Sequence, residues 1–338
     1  MSEDGSKKGM TRRELLRTGV VATVGLSIGC GGGMGAADAG GLDAPLDPDA
    51  GPPEVDGGTD AGPPDAGPEQ VPPPESVEPS ASFPLGVASG DATPESAIFW
   101  TRYDGASPIE LVVWEMDGDS YARTVHAGEV EPVSGFVHAD VAALSAGMRY
   151  RYCFFEKNGA DRTSRSPIGR MRAAIGSSAT EPLLLGAVSC TNNSRTPAPL
   201  GHAGGREDLD LFLWLGDTTY NDGARSLAEY RAKWDENLSK TEFRAVRAAT
   251  SALATWDDHE LDNDWNPETV DPGQRANAVQ SFFEHQPLSR DAASPDRIYK
   301  RMRWGRTAEL FVLDCRGERR PSTRSTPSAE YLSRAQMD

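Results

Sequence analysis

The chain has 338 residues, 38% of them hydrophobic, which is enough length and apolar content for two cored domains. Its formal charge is −17, yet eleven carboxylates fall between residues 31 and 80, where there is no Lys or Arg, so the remainder is only mildly acidic. No basic stripe supplies the positive field a nucleic-acid backbone needs, so nucleic-acid binding is not expected, and four cysteines without paired spacing give no sign of a disulfide framework.

The N-terminus reads as a targeting segment over residues 1–30. Thr11-Arg12-Arg13-Glu14-Leu15-Leu16-Arg17 resembles a twin-arginine export signal, and the apolar stretch from Val20 to Ile28 is too short to cross a bilayer. Export by the twin-arginine translocase predicts a periplasmic, envelope-anchored or extracellular protein. Ser27-Ile28-Gly29-Cys30 looks like a lipoprotein processing site, with lipid on Cys30 providing membrane attachment; ordinary cleavage near Ala37-Asp38-Ala39 is the alternative. Residues 31–81 are dominated by Gly, Pro, Ala and Asp and bury too little to offset their ordering entropy, so a disordered tether is expected there.

Folded structure is expected from about Phe83. Short β-type runs follow one another at Ala97–Thr101, Ile109–Trp114, Tyr121–His126, Phe136–Val141 and Arg149–Phe155, with turn residues between them. That spacing predicts an all-β, immunoglobulin- or fibronectin-like domain over residues 82–176. Cys153 is read as a small core residue and His126 and His138 as ordinary strand residues.

From about Glu181 the pattern changes to strands alternating with helical stretches, which predicts an α/β layered domain over residues 181–338. Helical spacing runs from Ser226 to Ala249 and again from Gln274 to His285, and Glu309–Asp314 reads as a buried strand. Three apolar runs end in ligand-type side chains: Leu183 to Cys190, Leu211 to Asp217, and Ala252 to the Asp257-Asp258-His259-Glu260 run. Open α/β sheets place their chemistry at the carboxyl edge, so Asp217 is a candidate metal ligand, and Tyr220, one tight turn on, can fold its phenol back to the same side. Trp214 and Trp256 are read as core packing, Cys315 as packing without a redox role, and His202 as a solvated residue of a Gly-rich loop.

An opening stretch and five later motifs together resemble one family. Phe83–Asp91 with Phe99-Trp100-Thr101-Arg102 is similar to the opening of the PhoD-type alkaline phosphatases. Ser189-Cys190, Gly216-Asp217-Thr218-Thr219-Tyr220, Thr255–Glu260, Phe282–Leu288 and Leu310–Arg316 resemble that family's later motifs in the same order. The resemblance implies a calcineurin-like metallophosphoesterase domain, an αββα sandwich, that hydrolyses phosphate mono- or diesters, phospholipids included. It further implies that Cys190, Asp217 and Tyr220 hold Fe3+, that Asp217 bridges to Ca2+, that Asp258 is a ligand of the second cation with Asp257 as fallback, that His259 faces the leaving oxygen, and that Asn263 lines the site. Family members continue past the position of Asp338 with another strand pair and a Gly-Asp-x-His-type motif carrying further ligands, so on this reading the chain is C-terminally incomplete.

The donor chemistry agrees with that division. Thiolate and phenolate suit a Lewis-acidic, redox-type metal, and carboxylate oxygens suit calcium or magnesium. Two cations sharing a carboxylate fit in-line displacement at phosphorus, with His259 protonating the departing alkoxide. The competing expectation is a tethered cell-surface binding protein whose phosphatase domain is degenerate and inactive.

Overall fold

The computed structural model describes residues 68–337 apart from Asn193. The export segment, Cys30 and the tether up to residue 67 lie outside the described residues. Among the described residues, no helix is long and apolar enough to cross a membrane.

Eight strands come first: β1 (Val87–Gly90), β2 (Ala97–Arg102), β3 (Ile109–Asp117), β4 (Ser120–Val130), β5 (Phe136–Val141), β6 (Arg149–Asn158), β7 (Asp161–Arg165) and β8 (Gly169–Arg172). The alternating part follows: β9 (Leu185–Val188), α1 (Ala198–Gly204), β10 (Leu211–Leu215), α2 (Leu227–Leu238), α3 (Thr241–Ala249), β11 (Ser251–Thr255), α4 (Pro272–His285), β12 (Lys300–Trp304), β13 (Ala308–Val312) and α5 (Arg334–Met337). The expected strands are all present in the β part. Their partition, however, differs from a self-contained sandwich.

One sheet has the order β4-β3-β6-β7 with β8 also on β6, and a second has the order β5-β2-β1-β11-β10-β9. The second sheet is therefore built half from the β part and half from the α/β part. The junction is parallel pairing of β1 with β11, Ser89 opposite Ser251 and Gly90 opposite Ala252. Small residues make it feasible: a Cβ on Gly90 would stand 2.2 Å from the Pro287 carbonyl oxygen and 3.0 Å from that of Ala252. Between the two sheets, Phe99, Val137, Leu111, Val113, Tyr152 and Phe154 form a closed apolar layer.

In the α/β part the period-2 alternation of the strands serves two cores. Phe212, Trp214, Ala252 and Ala254 face the helices and meet Trp234, Leu238, Phe243, Val246, Val279 and Phe282. Leu211 and Leu253 face the other way and meet Met302 and Trp304 of the antiparallel pair β12–β13. Each buried aliphatic or aromatic side chain of this kind contributes roughly 1.5–3 kcal/mol.

Several expectations shift in detail. The helical stretch after Ser226 is two helices. Ser226 caps α2 with a capping box to Glu229, and Lys240, in an extended conformation, ends the run before α3. Asp271 caps α4, and Pro272 takes the first helical position, where a missing N–H costs nothing. The strand expected at Glu309–Asp314 is β13 and is only half covered: it pairs edge to edge with β12, Ala308, Leu310 and Val312 pack against the core, and Phe311 is 64% exposed. His202 lies in α1 and is exposed, so the Gly-rich segment is helical rather than a loop.

The tether boundary also moves. Residues expected in a disordered tether up to 81 are ordered from Glu69 onward. Val71 is buried in a small cluster with Trp114 and Phe155, its N–H donates to Thr124 Oγ1 at 2.7 Å, and its carbonyl accepts from Trp114 Nε1 at 2.9 Å. Composition averaged over a Pro-rich stretch hides a single anchoring valine.

Replacing Gly90 with Ala forces the Pro287 segment away from β1. Such overpacking should lower unfolding free energy by about 2–3 kcal/mol, to be read from urea titration.

Candidate metal and phosphate site

Parallel register aligns the ends of three strands. Val188 pairs with Trp214 and Trp214 with Ala254, so the residues following β9, β10 and β11 emerge along one edge. Cys190 and Asp217 then take left-handed backbone conformations, with φ of 57° and 54°. Such conformations cost non-glycine residues about 1–3 kcal/mol and persist where surrounding contacts fix them. Here the contacts are Cys190 N–H to the Gly216 carbonyl and Thr191 N–H to the Asp217 carbonyl at 2.9 Å. Gly216, at φ 93°, is obligatory, since a Cβ there would lie 2.7 Å from the Asp257 nitrogen.

Glu260 ties these ends together. Its carboxylate is buried and accepts from the backbone N–H of Asp217 (3.1 Å), Thr218 (2.6 Å) and Asp257 (3.0 Å). Its own carbonyl accepts from Asn221 Nδ2 at 2.9 Å. Burial pushes the carboxyl up to about 7 against the opposing pull of these N–H groups.

Within this frame, ligand atoms of Asp217, Asp258 and His259 all come within 4.8 Å of one another. The Cys190 thiol donates to Asp217 Oδ2 at 3.4 Å. A Ser189 contact lowers the thiol's proton affinity, but burial and Asp217 outweigh it and leave it raised. Tyr220 lies beside both; burial, then Asp217 and Cys190, push its hydroxyl up to about 12. Burial also raises the Asp217 carboxyl. For Asp258, burial is overcome by the Asp264 N–H (2.7 Å) and by Arg316, which together hold it below the usual carboxylate range. Thiol, phenol, two carboxylates and an imidazole meeting at one edge form a donor set that fits metal cations, soft and hard donors side by side.

His259 is oriented by a residue that sequence reading did not single out. Its Nδ1–H lies 2.8 Å from both carboxylate oxygens of Asp222, so the proton is on Nδ1 and Nε2 is left free. The ring stacks on Tyr220 with centroids 4.0 Å apart. Burial disfavours the imidazolium, but Asp222 prevails and the pKa is raised above its ordinary value. Asp257 stands outside the three-residue cluster, its Oδ1 taken by Arg316 Nε and Nη2 at 2.9 and 2.7 Å. Asn263 is exposed; its side chain turns to Asp264 and only its backbone N–H reaches Asp222. Neither His126 nor His138 joins the cluster, and Cys153 is buried in the β part. Trp214 lies in the helix-side core, stacked on Phe243, while Trp256 donates Nε1–H to Asp314 at 2.8 Å. Cys315 is half-buried.

Asp222 has no local mark, whereas Glu260 and Arg316 fall inside stretches singled out in the sequence, where nothing local shows the role of either. Asp222 follows Tyr220-Asn221 in what reads as a polar turn, and Arg316 sits in an arginine-rich segment.

An α/β layer with ligand-type residues at its carboxyl edge, preceded by a β domain, is a phosphoesterase-like architecture. Two family models match it: "PhoD-like phosphatase, N-terminal domain" over residues 69–175 and "PhoD-like phosphatase" over 185–337. The chain belongs to the PhoD-like phosphatase family. It is 28% identical over 279 residues to alkaline phosphatase D of Bacillus subtilis (strain 168), covering 70% of this chain and 47% of that protein. A solved structure described as "Structure of PhoD" superimposes with a TM-score of 0.67 at 24% identity, covering 78% of this chain and 59% of that one, and so shares the fold. The chain thus spans about half the length of the curated relative it matches.

The His259–Asp222 pair makes a titration prediction for the cation-free protein. The His259 resonance should titrate above the ordinary imidazole pKa, and Asp222→Asn should bring it down, as read by NMR. The stability contributed by this pair is complete below the unfolded histidine pKa and is lost as pH rises through the raised folded value.

Proposed function

We propose that this chain hydrolyses phosphate esters, mono- or diesters, through the edge site at Asp217, Asp258 and His259. The observation that carries this reading is the approach of those three ligand atoms to within 4.8 Å, with Cys190 in contact with Asp217. Family membership supports it.

In this reading Cys190, Asp217 and Tyr220 would hold Fe3+ and Asp217 and Asp258 would hold Ca2+; when bound, the cations would supply Lewis acidity and charge neutralisation for in-line displacement at phosphorus. The chain's own residues do the rest. Glu260 keeps the Asp217 and Asp257 backbones in register, so the ligand carboxylates are aimed before any substrate arrives. Asp222 fixes His259 with Nδ1 protonated and stabilises the imidazolium. Nε2 is then the atom that holds a proton for the departing ester oxygen. Because His259 has a raised pKa, that proton is retained to higher pH than an isolated imidazole would allow.

The same reading places the protein outside the cytoplasm, exported through the twin-arginine route and held by lipid on Cys30, with a tether ahead of the folded part. The support is the motif order in the first 30 residues. Strand spacing and two facing sheets support an immunoglobulin- or fibronectin-type origin for the β domain, and β12–β13 opposite the main sheet supports an αββα layering.

Hydrolysis of p-nitrophenyl phosphate by the metal-supplied chain tests the activity. Asp217→Asn should abolish turnover and lower the bound metal content. His259→Ala should lower kcat by about 10²–10⁴-fold, with metal content falling far less than in Asp217→Asn. A chain loaded with iron and calcium that hydrolyses neither monoester nor diester would sink the reading. For the export route, Arg12→Lys together with Arg13→Lys should retain the protein in the cytoplasm, as seen by cell fractionation.

A further inference from the structure

We propose that Arg316 is the protein's own cationic contact to the phosphoryl group; this role rests on the hydrolase reading above. Arg316 Nη2 lies 3.4 Å from Asp258 Oδ2, and Asp258 belongs to the cluster where the ligand atoms of Asp217 and His259 converge. The guanidinium therefore borders the space in which a phosphate has to sit.

Its availability comes next. Nε and Nη2 are both engaged by Asp257 Oδ1, which leaves the Nη1 edge without a hydrogen-bond partner among the described residues. A planar fork anchored along one edge and open along the other is suited to an oxyanion, to which arginine donates directional, charge-assisted hydrogen bonds.

Rigidity is built into the loop. Asp314 Oδ1 accepts from Trp256 Nε1 (2.8 Å), from the Arg316 backbone N–H (3.0 Å) and from the Gly317 N–H (2.6 Å). Gly317 has no room for a side chain, since a Cβ would stand 2.4 Å from Asp314 Oδ2. The side chain of Arg316 is itself only 10% exposed. Most of the entropy of ordering a long cation is thus settled during folding and not at substrate binding.

Charge balance gives the last reason. Asp217, Asp222, Asp257, Asp258 and Glu260 crowd this edge, whereas His259 and Arg316 are the cationic side chains that contact them among the described residues. A phosphate dianion approaching five carboxylates needs a fixed positive group as well as bound cations.

Calorimetric titration of inorganic phosphate into the metal-loaded chain tests the assignment. Arg316→Met should weaken phosphate binding at least about tenfold, with Arg316→Lys in between because it keeps the charge and loses the fork. Asp257→Asn removes the charge of the anchoring partner but keeps the guanidinium, and should weaken phosphate binding several-fold less than Arg316→Met does. Cation affinity, titrated separately with Ca2+, should stay near the parent value in Arg316→Met. Unchanged phosphate binding in Arg316→Met overturns the proposal. So does equal loss of phosphate and Ca2+ binding in Arg316→Met and Asp257→Asn, which would make the arginine a structural brace. A parent chain that binds Ca2+ but neither phosphate nor ester overturns the hydrolase reading itself, and this role with it.

Discussion

The buried carboxylate of Glu260 is the interaction on which the edge site depends. Three backbone N–H groups from two strand-end loops converge on it, and without an acceptor each would be an unsatisfied donor in a dry place. Such hydrogen bonds contribute about 0.5–1.5 kcal/mol apiece, together enough to offset left-handed strain of the size carried at Asp217. Strain of this kind aims a side chain by turning the backbone sharply at the end of a strand. Glu260 keeps that turn from relaxing, and so acts on the donor set without belonging to it.

Around this hub the polar groups are layered by reach. Asp217, Asp258 and His259 occupy the centre; Asp222 turns the imidazole from one side, while Arg316 and Asp264 turn the Asp258 carboxylate from another. Each contact selects one protonation or orientation out of several. The imidazole presents Nε2 because Asp222 occupies Nδ1. Asp258 keeps its charge in spite of burial because two donors face it. The electrostatics are therefore set by neighbours whose own positions depend on the loops, and the loops depend on Glu260.

Much of this fold is legible along the chain because local chemistry repeats with the right period. The apolar runs ending at Cys190, Gly216 and Trp256 mark three strands, and the stops themselves mark the edge where polar residues gather. Helix starts at Ser226 and Asp271 carry capping residues that can be read directly. What cannot be read is anything defined across distance. Nothing in Ser89-Gly90 announces a partner at Ser251-Ala252, and Arg316 differs from its arginine neighbours only by where its loop delivers it. Val71 shows the same limit on a smaller scale: one apolar residue in a Pro-rich stretch has no periodicity, yet its backbone is bonded at both ends to the β part.

The sheet shared through β1 and β11 has a consequence for how the molecule is made. During synthesis β2 offers β1 a partner almost at once, but the opposite edge of β1 has none until residues 251 and 252 leave the ribosome. For that interval the nascent β part exposes an open row of backbone donors and acceptors, the feature most prone to wrong pairing with another chain. Small side chains at Ser89 and Gly90 and a strand of only four residues shorten that exposed row. The β part is consequently no free-standing module to be cut away or transplanted, since the free edge of β1 is paired only once β11 has been made.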